Sequence, residues 1–122
     1  MTRSIAAATI LALCFVDWAR AAEPVIYTWT GMGTGVEGTS KCATYRMTVE
    51  VTVDGKTVKG LIKQQGREQR TFQATLGNDG VFKTKADVGG GNTLDVSGTI
   101  SDKESRLLMD GYCKFEGMLT PK

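Results

Sequence analysis

From residue 25 onward the chain alternates between apolar and polar positions. Val25, Tyr27 and Trp29 interleave with Ile26, Thr28 and Thr30. The longest run sets Tyr45, Met47, Val49, Val51 and Val53 on one face and Thr44, Arg46, Thr48, Glu50 and Thr52 on the other. A period of two with one apolar face is the requirement of a half-buried antiparallel strand, whose successive side chains point to opposite sides of the sheet. Leu94, Val96, Gly98 and Ile100 against Thr93, Asp95, Ser97 and Thr99 repeat the pattern, and Phe72, Ala74 and Leu76 against Thr71, Gln73 and Thr75 do so more briefly. Asp54-Gly55, Asn78-Asp79-Gly80 and Asp110-Gly111 separate such runs, and these residues accept the positive φ of tight hairpins.

The spacing predicts about eight strands, at 25–31, 43–53, 57–65, 70–76, 81–86, 93–100, 106–109 and 112–119. Short connections between neighbours predict an all-β fold, an antiparallel up-and-down meander forming a small barrel or a flattened barrel-like sandwich. Closure would remove exposed sheet edges. The GMGTG segment at 31–35 reads as a flexible loop, since no helix follows it to hold an anion, and the GGG segment at 89–91 reads as a mobile connection.

The first residues follow a different pattern. Arg3 precedes an uncharged apolar run of about 12 residues at 5–16, and Ala19-Arg20-Ala21 supplies a small-x-small cleavage motif. These features predict a signal peptide over 1–21 and a single β domain over 22–122, periplasmic or secreted. The run is shorter than the roughly 20 residues of a spanning helix, so no transmembrane anchor is expected in the mature chain. Cys14 continues an apolar run after Leu13, so it reads as part of the signal segment rather than as a lipidation site. Cleavage turns three cysteines into two, and in an oxidising compartment Cys42 and Cys113 are expected to pair. The parity of the last strand puts Cys113 inward with Phe115 and Leu119, whereas Cys42 falls on the face of Thr44. A loop position for Cys42 before its strand resolves the conflict better than a bulge.

Charge and chemistry narrow the function. The mature part carries 13 basic and 12 acidic residues in interspersed order, which gives no electrostatic case for nucleic acid. The chain holds no histidine, the commonest general base and metal ligand, so Ser-His and Cys-His nucleophiles are excluded. No cofactor, metal or catalytic residue is expected. Glu50 and Asp95 lie on polar strand faces and read as solvated surface. Tyr27, Trp29 and Tyr45 are the aromatics that would either fill the interior or line a pocket. Lys63, Arg67 and Arg70 with Gln64, Gln65 and Gln69 read as a solvated basic hairpin tip, or as a contact for an acidic partner.

Three segments, YTWTG at 27–31, VDGKTVKG at 53–60 and GYCKFEGML at 111–119, resemble small exported β proteins of alphaproteobacteria. The resemblance implies export, one disulfide and a β fold, and it brings no activity or site residues. Lipocalin-like barrels open on Gly-x-Trp, but here the order is Trp29-Thr30-Gly31. Avidin-like barrels place several tryptophans in the pocket, and this mature chain has one.

These observations lead to an exported, non-catalytic binding domain. Its expected partner is a protein or a small envelope ligand met through the loops at 32–41 and 66–70. The alternatives are a periplasmic inhibitor of a lysozyme or protease, and a structural cell-envelope protein. A cavity lined by Trp29, Tyr27 and Tyr45 would favour a small-ligand binder.

Overall fold

The computed structural model describes residues 23–35 and 40–122, which form nine antiparallel strands. They are β1 (Val25–Met32), β2 (Thr34–Gly35), β3 (Arg46–Asp54), β4 (Thr57–Gln64), β5 (Arg70–Thr75), β6 (Val81–Gly89), β7 (Asn92–Thr99), β8 (Ser105–Asp110) and β9 (Cys113–Pro121). Their order is β5-β4-β3-β1-β9-β8-β7-β6, with β2 paired to β9. The first and last long strands are therefore neighbours, and the sheet curls into a nearly closed barrel. The segment 1–21 lies outside the described residues. Among those described, no helix is long and apolar enough to cross a membrane.

Alternation builds the wall. In β3 the odd positions Met47, Val49, Val51 and Val53 are buried while Thr48, Glu50 and Thr52 face out. Val58, Ile62, Phe72, Phe82, Val96, Leu107, Met109, Phe115 and Leu119 complete the core from the other strands. Phe72 and Phe82 stack with ring centroids 6.3 Å apart. That geometry contributes roughly 0.5–1.5 kcal/mol beyond the area it buries.

The opening in the barrel falls in mid-chain. No ladder joins β5 to β6, so the barrel is nearly closed and keeps these two strands as unpaired edges. The two strands start together at the turn that links them, where Gly77 N–H donates to the Val81 carbonyl at 2.9 Å. Beyond that turn no ladder joins them, and the Phe72–Phe82 stack spans the seam in place of hydrogen bonds.

Three local expectations need correction. The 31–35 segment is not a loop. Gly31 and Met32 pair with Met47 and Arg46, and Thr34 and Gly35 pair with Lys114 and Cys113. Pairing of Thr28 with Thr120 and of Thr34 with Lys114 keeps a single register, so β1 and β2 act as one strand with an interrupted ladder. The interruption coincides with the Trp29 indole, which lies against Gly31 and Gly117 where any Cβ would collide with it. The 89–91 segment is a tight hairpin turn, with Gly89 paired to Asn92 and positive φ of 63° and 80° at Gly90 and Gly91. Positive φ at both central residues matches the right-handed twist of the strands, and only glycine adopts it without cost. Finally, β3 starts at Arg46 rather than at residue 43, because Ser40–Thr44 winds into a single 3-10 turn.

Candidate functional site

The 3-10 turn sets one end of the barrel. Tyr45 N–H donates to the Cys42 carbonyl at 3.2 Å, and Gly33 N–H donates to the Tyr45 carbonyl at 3.3 Å. Cys42 is thereby presented from a loop position, as its parity demanded, and bonds Cys113 at the start of β9. The Cα atoms stand 5.5 Å apart, a normal disulfide span. Both cysteines are buried.

Beside this disulfide the barrel end opens into a cavity of about 410 Å³. Its floor is apolar: Met47, Ile62, Leu94, Cys113 and Phe115 line it and are each only 3% to 7% exposed. Its rim is polar. Gln64 on β4, Arg70 on β5 and Asn92 on β7 occupy the outermost positions of the inward faces that begin with Ile62, Phe72 and Leu94. Tyr45 is the corresponding residue ahead of β3, and Tyr112 stands 71% exposed at the margin. Arg67 and Glu68, in the β4–β5 turn, and Val88 on β6 complete the opening.

Arg70 is the charged residue set deepest in this rim. Its side chain is 33% exposed, and its Nη2 lies 3.5 Å from Glu68 Oε1, whose own side chain is 76% exposed. The guanidinium covers Gly89, where a Cβ would meet Arg70 Nη2. Arg70 therefore reaches from β5 across the seam to the end of β6.

Of the three aromatics singled out in the sequence, only Tyr45 lines the cavity. Tyr27 and Trp29 are half-buried and pack against the core. The predicted basic tip divides by parity: Gln64 and Arg70 turn to the mouth, and Lys63 lies on the other face of β4. Extending the apolar faces of 58–62 and 72–76 by one step outward would have found both rim residues. Residues 36–39 of the expected 32–41 binding loop lie outside the described residues.

Glu50 and Asp95 stay apart, on the outer faces of β3 and β7. Glu50 accepts a hydrogen bond from Lys122 Nζ at 3.1 Å. That bond, with the Lys122 charge and the more distant charge of Lys63, holds its carboxyl below the ordinary value of 4.5 against a smaller opposing effect of burial. Asp95 pairs with Lys85. Among the described residues, no three metal-ligating side chains cluster. The arrangement offers apolar burial below a polar ring, the usual composition of a small-molecule site. No protein-family model matches the chain, and no curated protein matches it.

Proposed function

We propose that this chain is an exported, non-catalytic binding domain that takes a small ligand at the disulfide end of its barrel. The observation that carries the reading is the open cavity with its buried apolar floor and polar rim. An eight-stranded barrel is just wide enough to be filled by side chains or to hold one small ligand, and an end opening of about 410 Å³ above an apolar floor is of the size of ligand pockets. The signal-like segment at 1–21 and the resemblance to exported β proteins support secretion. The disulfide supports it independently, since such bonds persist in oxidising compartments. A rigid strand framework holds the rim, so the ligand meets a preformed opening.

The test is fluorescence titration of the purified, unreduced protein with phenylnaphthylamine, a neutral apolar probe. Saturable one-to-one binding is expected, and Gln64→Trp, which fills the mouth from the rim, is expected to abolish it while leaving thermal stability nearly unchanged. Absence of binding to the parent protein, or binding indifferent to Gln64→Trp, would overturn the reading.

A further inference from the structure

The mouth carries a specificity that its apolar floor alone does not explain. Arg70 occupies an inward-facing strand position, whose neighbours on the same face are Phe72 in the core and Ala74 packed against it. Placing a guanidinium there removes much of its water, which is unfavourable unless an anion compensates. The carboxylate at hand compensates poorly. Glu68 approaches only to 3.5 Å, through one oxygen, and is itself largely in solvent. Exposed pairs of that kind contribute little, and a guanidinium has five N–H donors in a fork suited to planar anions. Arg67 lines the same rim and makes no ion pair among the described residues. The lining therefore holds two arginines against one carboxylate that is free to swing away.

Below Arg70 lie Met47, Ile62, Leu94 and Phe115, which present no charge. Polarity thus runs in one direction along the cavity, from cationic rim to apolar floor. We infer that the ligand is a small amphiphile with a single anionic head group. The head displaces Glu68 and is held by Arg70, with Arg67 beside it, and the apolar body rests on the floor. Gln64 and Asn92 flank the head and supply neutral hydrogen-bonding groups. This inference rests on the reading of the mouth as a ligand site and adds the chemical class of the ligand.

Two fluorescent probes that differ by one sulfonate separate the claims. Anilinonaphthalene sulfonate carries the anion, and phenylnaphthylamine lacks it. The folded, unreduced protein is expected to bind the sulfonate about tenfold more tightly, the gain of one charge-assisted hydrogen-bonded contact. Arg70→Gln is expected to remove that preference and to leave the neutral probe within about twofold of its original affinity. Glu68→Gln is expected to strengthen the sulfonate alone. Salt at about 1 M, where screening acts within about 3 Å, is expected to weaken the sulfonate alone in the unmodified protein, which keeps the test independent of how Arg70→Gln folds. Equal affinity for both probes, or a sulfonate affinity indifferent to Arg70→Gln and to salt, overturns the anionic head group and leaves an apolar site standing. Binding of neither probe overturns both the inference and the site.

Discussion

Gly60 faces the ring of Phe72, Gly98 the ring of Phe82, and Gly117 the indole of Trp29, and in each case an added Cβ would overlap the aromatic. A barrel this narrow accommodates its large rings by leaving the facing wall without side chains. The consequence is a reversal of sign. Gly→Ala in a strand ordinarily gains stability, because alanine restricts the unfolded chain and suits the extended backbone. At Gly60, with no positive φ to protect, the methyl meets Phe72 instead. Gly60→Ala is expected to destabilise the protein by about 1–3 kcal/mol, the usual cost of overpacking. Urea midpoints measure it, and a midpoint that stays or rises would contradict the steric account. None of these pairs was legible in the sequence, where Gly98 reads only as another member of an alternating run. The ring that faces a glycine sits on another strand, or two residues along the same one, and alternation does not report which cross-strand neighbour is large.

At the scale of elements, the eight long strands were legible because each buries one face, and register follows from parity once a face is fixed. The misread pieces share a cause. At 31–35 and 89–91 glycine reads in the sequence as punctuation, but at the first it clears space for Trp29 and Phe115, and at the second it supplies the φ of a tight turn. Tyr27 and Trp29 pack against the core and Tyr45 lines the mouth, a difference in depth along the barrel that depends on strand stagger, which a single strand's sequence does not carry. Strand-to-strand contacts also set a pH response. Lys122, just beyond β9, pairs with Glu50 on β3, the far neighbour of β1. The folded-state carboxyl titrates below 4.5. Its stabilising contribution is therefore complete above that value and fades as pH falls through the lowered folded-state value. Glu50→Gln is expected to be slightly less stable than the parent at neutral pH and to lose less on acidification, a small effect for a solvated pair. Parallel acid titrations of stability for the two proteins check it, and superimposable curves would rule it out.

At the scale of the whole molecule, two halves meet along one hydrogen-bonded joint and, on the opposite side, along the side-chain seam between β5 and β6. Residues of β1 to β5 form one antiparallel group and β6 to β9 the other, connected by the pairing of β1 and β2 with β9. Cys42 belongs to the first half and Cys113 to the second, with 71 positions between them. Loop-closure entropy assigns such a bond about 4 kcal/mol, a large part of what a domain of this size possesses. Replacing both cysteines by serine is expected to lower stability by roughly that amount, read from denaturant unfolding beside the parent with and without reductant. A parent whose midpoint is unmoved by reduction would show that the joint holds without its crosslink. The joint also bears on how the protein comes into being. Every ladder except those on β9's outer side connects near neighbours in sequence, whereas Thr120 Oγ1 donates to the Thr28 carbonyl 92 positions away. Hairpins form early and long-range closure comes late. Until β9 docks, β1 and β9 add two unpaired, aggregation-prone strand edges to those that β5 and β6 keep. The interval between synthesis of β1 and arrival of β9 is therefore one of added exposure, and shielding β1 during it favours the folded product over aggregates.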